Sequence, residues 1–471
     1  MLKSRGVRPT DAVAILLPNG PEMAVAFLGT ALAAVAAPLN PAYKRDELDY
    51  YLADLDAKLV IVIAGEAGPI IAAADARQIP ILRISVAAGS PAGEFLIDGV
   101  SGRHSGALGV GPATPQQTAL MLHTSGTTSR PKQVPLTHGN LSASARAIAG
   151  TLRLTATDAG LNIMPLFHIH GLVASLLAPL SVGGAAICTS GFNALQFMAL
   201  LKSEKPTWYS GVPTMHQAIL ERARRRPEAA RTSGLRFIRS SSASLPPPVY
   251  ADLSETFGCP VIEAYGMTEA SHQMTSNPLD PGRQKPGSVG LPAGPEVAVA
   301  NTEGRLLAAG NEGEIVIRGP NVTAGYVANA KANAEAFFDA ADKGGHWFRT
   351  GDLGVFAADG YLTINGRIKE LINRGGEKIA PREVDEVLMA HPAVAQAVTF
   401  AMPHDKLGEE VAAAVVLKDG AAASGEDLRA HAATKLAAFK VPRRIVILSD
   451  IPKGPTGKLQ RIGLAKLLGL G

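Results

Sequence analysis

The sequence predicts an α/β fold: a large N-terminal domain of βαβ-layered sheets plus a β-rich subdomain, then a small α+β C-terminal domain. Three observations carry this expectation. Short apolar runs alternate with helix-length segments as far as about residue 266, the signature of βαβ units with largely parallel sheets. Past about residue 280 the texture changes to the turn-rich "PGRQKPGSVGLPAGPE" and then to β-type runs, "GEIVIRG" and "GYLTING". A final segment of about a hundred residues, beginning near Lys369, has its own strand–helix alternation and is long enough for a small domain. A chain of 471 residues is in any case too long for one core.

The elements follow in order. "AVAILL" (12–17) is the first strand. "AVAFLGTALAAVAAPL" (24–39), with Glu22 just before it, is too short and alanine-rich for a membrane span and fits a buried helix leading into a strand. Further strands are expected at "KLVIVIA" (58–64), "ALML" (119–122), "GLNIMPL" (160–166), "TWYSGV" (207–212), "LRFIRS" (235–240) and "PVIEAYG" (260–266). Helices are expected at 141–152, 193–204 and 246–257. "APREVDEVLMAHP" starts another helix, with proline in its first turn and Val384 and Leu388 four apart. Parallel sheets bind ligands at the carboxyl ends of their strands. The loop after "ALML" and the "YGMTE" after "PVIEA" both occupy such ends.

Composition narrows the function. Hydrophobic residues at 46% and charged residues at 18% suit a folded globular chain. A net charge of +4 and 5% aromatics argue against nucleic-acid binding, and "RARRR" (222–226) reads as a solvated helix end. Cys188 and Cys259 lie far apart without metal-type spacing, so neither a disulfide framework nor a zinc site is expected, and a reducing compartment is. With no secretory signal, no membrane insertion and a C-terminal "LLGLG" that is not a peroxisomal address, a cytoplasmic protein is expected. Oligomeric state is not legible.

The stretch "HTSGTTSRPKQVPLTH" (123–138) clusters hydroxyl residues around one glycine ahead of a lysine. A solvated Ser/Thr loop has this composition, but so does a cradle for phosphate oxygens, which needs hydroxyl and backbone donors and one cation. It is not a Walker A loop, because Gly126 and Lys132 are spaced G-x5-K with Arg-Pro between. Neither G-x-G-x-x-G nor G-x-S-x-G occurs, which removes the dinucleotide fingerprint and the hydrolase elbow. What remains is an ordered series: "TSGTTSRPK" (124–132), "YGMTE" (265–269), "RTGDLG" (349–354), "GRIKELINRGGEKI" (366–379) and "PKGPTGKLQR" (452–461).

This series, in this order and spacing, resembles the adenylate-forming superfamily, the AMP-producing acyl-CoA synthetases, through essentially the whole chain. The resemblance implies ATP, Mg²⁺ and coenzyme A acting with a small carboxylic acid in two steps. The carboxylate attacks the α-phosphate of ATP, and a thiol then attacks the acyl-adenylate. It gives Thr124, Ser125, Thr127 and Thr128 to the phosphate oxygens, with Gly126 for close backbone approach and Lys132 for charge. "EAYGMTE" then lines the nucleotide with Glu263 and Ala264, the Tyr265 face for adenine, Thr268 for the α-phosphate and Glu269 as a hard oxygen ligand for Mg²⁺. Asp352 would accept from the ribose hydroxyls with Arg367 nearby. Lys458 would be catalytic beside Thr268 and Glu269, stabilising charge in the first transition state. The resemblance also implies a large domain over 1–366 and a small mobile domain over 367–471, hinged at Lys369. Rotation would exchange Lys458 for the "NRGGEK" loop, with Gly375, Gly376, Arg374 and Lys378 meeting CoA.

Three stretches should line the acid pocket: "PLFHIHG" (165–171), "IRSSSASL" (238–245) and "TEASHQMTSNP" (268–278). They are polar where a long-chain acid would want an apolar tunnel, and their wording is similar to the oxalyl-CoA synthetase branch. His168, Ser241, Ser242, Ser244 and His272 are the expected donors to a second carboxylate; malonate, short, medium-chain or aryl acids and carrier loading are the alternatives. His168 and His170 lack a third ligand for a metal site. Ser129 and Gln133 stand where many superfamily members have glycine. Relatives of this type usually have roughly forty more residues in front, so a truncated or misassigned start is expected.

Overall fold

The alternation of the first half folds into two seven-stranded sheets. The computed structural model describes residues 2–98, 113–124, 131–340, 344–453 and 459–470. The first sheet runs Leu96–Ile97, Ile81–Ser85, Leu59–Ile63, Ala12–Leu16, Val35–Pro38, Thr118–Thr124, Lys132–Thr137. Its five middle strands are parallel, and an antiparallel strand lies at each edge. The second runs Leu291–Pro292, His272–Ser276, Val261–Met267, Phe237–Ser240, Trp208–Gly211, Ala159–Asn162, Ala185–Cys188, with the last five parallel. Trp208–Gly211 and Phe237–Ser240 are buried throughout, as strands covered on both faces must be.

Local chemistry sets the helix ends. Thr137 opens the helix His138–Thr151 with a capping box: its Oγ1 accepts from Asn140 N, and the Asn140 side chain accepts from Thr137 N. Asn193 caps Ala194–Glu204, and Gly258, at φ 66°, ends Pro247–Phe257. The strand expected to reach residue 166 stops at Asn162. There Asn162 Oδ1 accepts from Met164 N and Nδ2 donates to Gly171 O, which turns the chain out of the sheet. The segment that follows, His170–Leu177, winds as a π-type helix, a rare form that is frequent at functional sites.

The β-rich stretch forms an antiparallel sheet of Glu296–Ala300, Gly313–Arg318, His346–Phe356 and Phe337–Asp339, with Leu362–Arg367 also paired to His346–Phe356. Beyond it, Glu377–Ile379, Ile372–Arg374, Gly408–Leu417, Val394–His404 and Arg444–Ile447 make a separate small sheet. The helix Pro381–Met389 covers this sheet, and Val384 and Leu388 are fully buried as their spacing predicts. Gln217 Nε2 donates to Ala395 O, and the Arg382 guanidinium donates to Ile364 O, fastening the small domain to the large one. No helix among the described residues is long and apolar enough to cross a membrane.

Candidate functional site

The carboxyl end of Val261–Met267 is where three motifs meet. Between Tyr265 and Gly266 its register with His272–Ser276 shifts, and a side chain at Gly266 would collide with the carbonyl of His272. Only glycine fits there. Tyr265 donates its hydroxyl to Asp352 Oδ2 at 2.5 Å, and Arg367 Nε donates to Asp352 Oδ1 at 2.7 Å. Asp352 and Arg367 are cross-strand partners, and Thr350 Oγ1 accepts from Asp352 N while donating to Ile315 O. Burial and the Asp352 carboxylate push the Tyr265 phenol well up, and Asp352 holds Arg367 firmly protonated. Each carboxylate oxygen keeps further lone-pair capacity, enough to accept from ribose hydroxyls.

This carboxylate opens on a cavity of about 340 Å³ between the two domains. Ser242, Ser244, Ala264, Tyr265 and Gly266 line its large-domain side; Arg382, Asp385, Glu386, Leu459 and Arg461 line the other. Arg461 bridges Glu370 and Asp385, at 3.1 and 2.8 Å, and Arg382 pairs with Glu386 at 2.7 Å.

Of the expected phosphate cradle, Ser125, Gly126, Thr127 and Thr128 lie outside the described residues, as does Lys458. Thr124 and Lys132, which flank the loop, are cross-strand partners. One register step back, His123 faces Gln133, and Asp54 takes a hydrogen bond from each at 2.9 Å. Gln133 Nε2 also donates to Asp54 O. Gln133 therefore ties the base of the loop to the end of the helix Arg45–Asp54, and burial lowers the pKa of His123, favouring a neutral ring. The Lys132 ammonium sits 4.4 Å over the Tyr326 ring, whose hydroxyl donates to Glu269 Oε1 at 3.0 Å. Glu269 is buried, which raises its pKa and leaves a carboxylate that a cation would stabilise. Thr268, half-buried, begins the turn that carries Glu269.

On the acid side, Ser242 has φ 73° and His272 φ 101°, positions rare for residues with a side chain and concentrated at functional sites. His170 stands between two serines, with Nδ1 3.0 Å from Ser242 Oγ and Nε2 2.6 Å from Ser210 Oγ, and its ring lies 4.8 Å from that of His272. Ser241 is not brought to the cavity: it is fully buried and donates its hydroxyl to Ala264 O. His168 is half-buried, with its ring 4.7 Å from that of Phe167.

The comparisons agree with this geometry. Residues 1–327 match the model of the AMP-binding enzyme family, and 383–458 match the AMP-binding enzyme C-terminal domain. This chain belongs to the AMP-binding enzyme family. Within it, the chain is an AMP-forming acyl-CoA synthetase, a class whose substrates are ATP, CoA and a carboxylic acid. It is 46% identical to an oxalate–CoA ligase of Arabidopsis thaliana, over 98% of this chain and 89% of that one. It is 38% identical to a sulfoacetate–CoA ligase of Cupriavidus necator, over 98% and 88%. The crystal structure of ATP-bound MatB from Rhodopseudomonas palustris is similar at a TM-score of 0.87 and 30% identity, covering 99% of this chain and 90% of that one.

The small domain of this AMP-binding enzyme departs from expectation at one residue. Arg374 is expected at CoA, but its guanidinium forks onto buried Glu410 on the neighbouring strand, at 2.5 and 3.1 Å. An arginine held in two bonds by a buried carboxylate is structural in this arrangement. Gly375 and Gly376, at φ 60° and 97°, make the tight turn into Glu377–Ile379, and Lys378 is exposed. Lys369 is exposed in the turn Ile368–Glu370. Sequence reasoning missed Tyr326, Ser210 and Arg239. A signal existed only for Arg239, the second arginine of "LRFIRS", set within the strand Phe237–Ser240, where unpaired arginine is almost never buried.

Proposed function

We propose that this enzyme activates a small acid carrying a second anionic group, oxalate first, as its acyl-adenylate, and passes the acyl group to CoA. In the first step a carboxylate oxygen attacks the α-phosphorus of ATP and pyrophosphate leaves. In the second the CoA sulfur attacks the acyl carbon and AMP leaves, giving the thioester. The observation that carries the reading is the pair of hydroxyl residues Ser242 and Ser244 on the cavity wall beside the Asp352–Tyr265 pair, with the buried His170 imidazole held against Ser242 from behind. Names of relatives support it, since oxalate and sulfoacetate both carry two acidic groups.

Roles follow by motif. Asp352 and Arg367 take the ribose, Tyr265 the base, and Thr124 to Thr128 with Lys132 the β- and γ-phosphates. Glu269 would hold Mg²⁺, which screens phosphate charge. Its buried carboxylate fits a nucleotide-bound ion that keeps most of its ligands from phosphate and water. Lys458 stabilises the first transition state; Leu459 and Arg461, just beyond it in sequence, line the cavity. Residues 367–471 turn about Lys369 between the steps, and the Gly375–Gly376 turn with Lys378 then serves CoA. The unpaired thiols of Cys188 and Cys259 suit a reducing cytoplasm.

Pyrophosphate release with ATP, Mg²⁺ and CoA, measured across oxalate, sulfoacetate, butyrate and benzoate, tests the acid. An alkyl acid leaves buried donors unpaired at ~1–3 kcal/mol each, so two or three of them disfavour butyrate by roughly a thousandfold in kcat/KM. Butyrate or benzoate outperforming both dianions would remove the assignment and leave the adenylate chemistry standing.

A further inference from the structure

Arg239 is fully buried, on a strand covered on both faces. One terminal nitrogen lies 3.3 Å from Ser210 Oγ and 3.2 Å from His272 Nε2, and the other lies 3.3 Å from Gln273 Oε1. Its Nε has no hydrogen-bond partner, and no carboxylate among the described residues pairs with it. Burial pulls its pKa down to about 9, so it remains charged at neutral pH. A buried charge without a counter-ion is costly, so the position calls for a role beyond packing.

We infer that Arg239 is a positioning residue that turns the ambivalent groups of the acid pocket into hydrogen-bond donors, selecting acids with a second anionic group. A guanidinium only donates. His272 Nε2 must then accept, so the ring is neutral and carries its hydrogen on Nδ1. That nitrogen lies on the Gly266 side of the buried ring, 2.8 Å from where a Cβ on Gly266 would stand. Along the other branch Ser210 Oγ accepts from Arg239, and the acceptor it meets for its own hydrogen is His170 Nε2 at 2.6 Å. His170 then carries its hydrogen on Nδ1 and gives it to Ser242 Oγ. The hydrogen of Ser242 is left to the cavity that Ser242 lines. Gln273 is oriented for the same purpose: its Nε2 donates to Ala293 O, which can only accept, and so turns Oε1 toward Arg239.

One buried cation thus sends a chain of donors through Ser210 and His170 to Ser242 at the pocket. A carboxylate or sulfonate accepts from it; an alkyl or aryl tail cannot. The inference rests on the proposed use of a second anionic group.

Kinetics of Arg239→Met, Arg239→Lys and Ser210→Ala test it, with oxalate and butyrate as acids. Arg239→Met should cut kcat/KM for oxalate by roughly a hundredfold, mainly through the KM of the acid, and leave butyrate within about threefold. The KM for ATP should not move. Arg239→Lys, still a cation and donor, should recover part of the oxalate loss. Ser210→Ala cuts the chain without removing the buried cation, and should lower oxalate about tenfold while sparing butyrate; it decides the matter if Arg239→Met does not fold. Equal losses on both acids, or an unchanged oxalate preference in Ser210→Ala and Arg239→Met, would overturn the role of Arg239. A wild-type enzyme that prefers butyrate fails the proposed substrate class before any variant is made.

Discussion

Tyr265 and Asp352, 87 residues apart, are joined by a hydrogen bond of 2.5 Å from the phenol to the carboxylate. The tyrosine lies near the carboxyl end of a strand of the second sheet, and the aspartate lies on the antiparallel sheet that follows. The proposed nucleotide wall therefore exists only where these two sheets dock, and Arg367, on the strand beside Asp352, holds the other carboxylate oxygen.

Tyr265→Phe keeps the ring and deletes that bond. The expected result is a loss of ~1–2 kcal/mol in denaturant unfolding and an increase of about tenfold in the KM for ATP, with kcat changed much less. An unchanged KM would mean that the pair holds the two sheets together and does not position the nucleotide.

Asp54 carries a second expectation. It accepts from both His123 and Gln133 beside the proposed phosphate loop. Asp54→Ala strands two buried or half-buried donors and should raise the KM for ATP several-fold, at ~1–3 kcal/mol of stability. Gln133→Gly restores the residue common in the superfamily and keeps the His123–Asp54 bond, so its effect should be smaller. Pyrophosphate-release kinetics on the two variants check the order; the reverse order would show that Gln133, not Asp54, fixes the loop.

Local rules made most of the fold legible. The strand runs, the capped helices and the Val384–Leu388 stripe were readable because periodicity and capping act over a few residues. The strand at Asn162 ended early because one side-chain amide captured two backbone groups, and a side chain's bonding choice is invisible in an apolar pattern. The motif residues of the site were legible as types. Their partners were not, because Tyr326 meets Glu269 across 57 residues and Gln133 meets Asp54 across 79. Arg374 shows the same limit from the other side. A basic residue beside two glycines reads as an anion site until Glu410, on the strand Gly408–Leu417, is seen to occupy it.

Glu263 gives the fold a pH dependence. It is almost wholly buried, with Oε1 accepting from Leu245 N and Oε2 without a partner, and burial raises its pKa to about 7 from the ordinary 4.5. The folded protein then holds this proton through a range where the unfolded chain has released it. Stability from this group is complete below about pH 4.5, declines as pH rises toward 7 and is level above it, a loss of ~3 kcal/mol. Unfolding free energies measured from pH 4.5 to 8 should fall more steeply in the wild type than in Glu263→Gln, whose remaining decline comes from other buried carboxylates such as Glu269. A difference between the two proteins that stays constant over that range would mean that Glu263 is ionised throughout.

The two half-reactions should separate at Lys458 and Lys369. Lys458 is proposed to act on charge that builds at the α-phosphate, which exists only in the first step. Lys458→Ala should therefore reduce pyrophosphate release by at least a hundredfold and leave thioester formation from synthetic acyl-adenylate within a few-fold of wild type. Lys369 is exposed, in the short turn between the large domain and the small sheet. Lys369→Pro fixes φ near −65° and restricts Ile368 before it, which hinders the rotation without touching the nucleotide. Its expected pattern is the opposite one: pyrophosphate release persists, and thioester formation falls by a hundredfold or more because the small domain cannot leave its first position. Both rates can be read on the same preparations by single-turnover assays with and without CoA. Normal thioester formation by Lys369→Pro would move the pivot to another residue of the segment, and equal loss of both steps in Lys458→Ala would end the division of labour between the two positions.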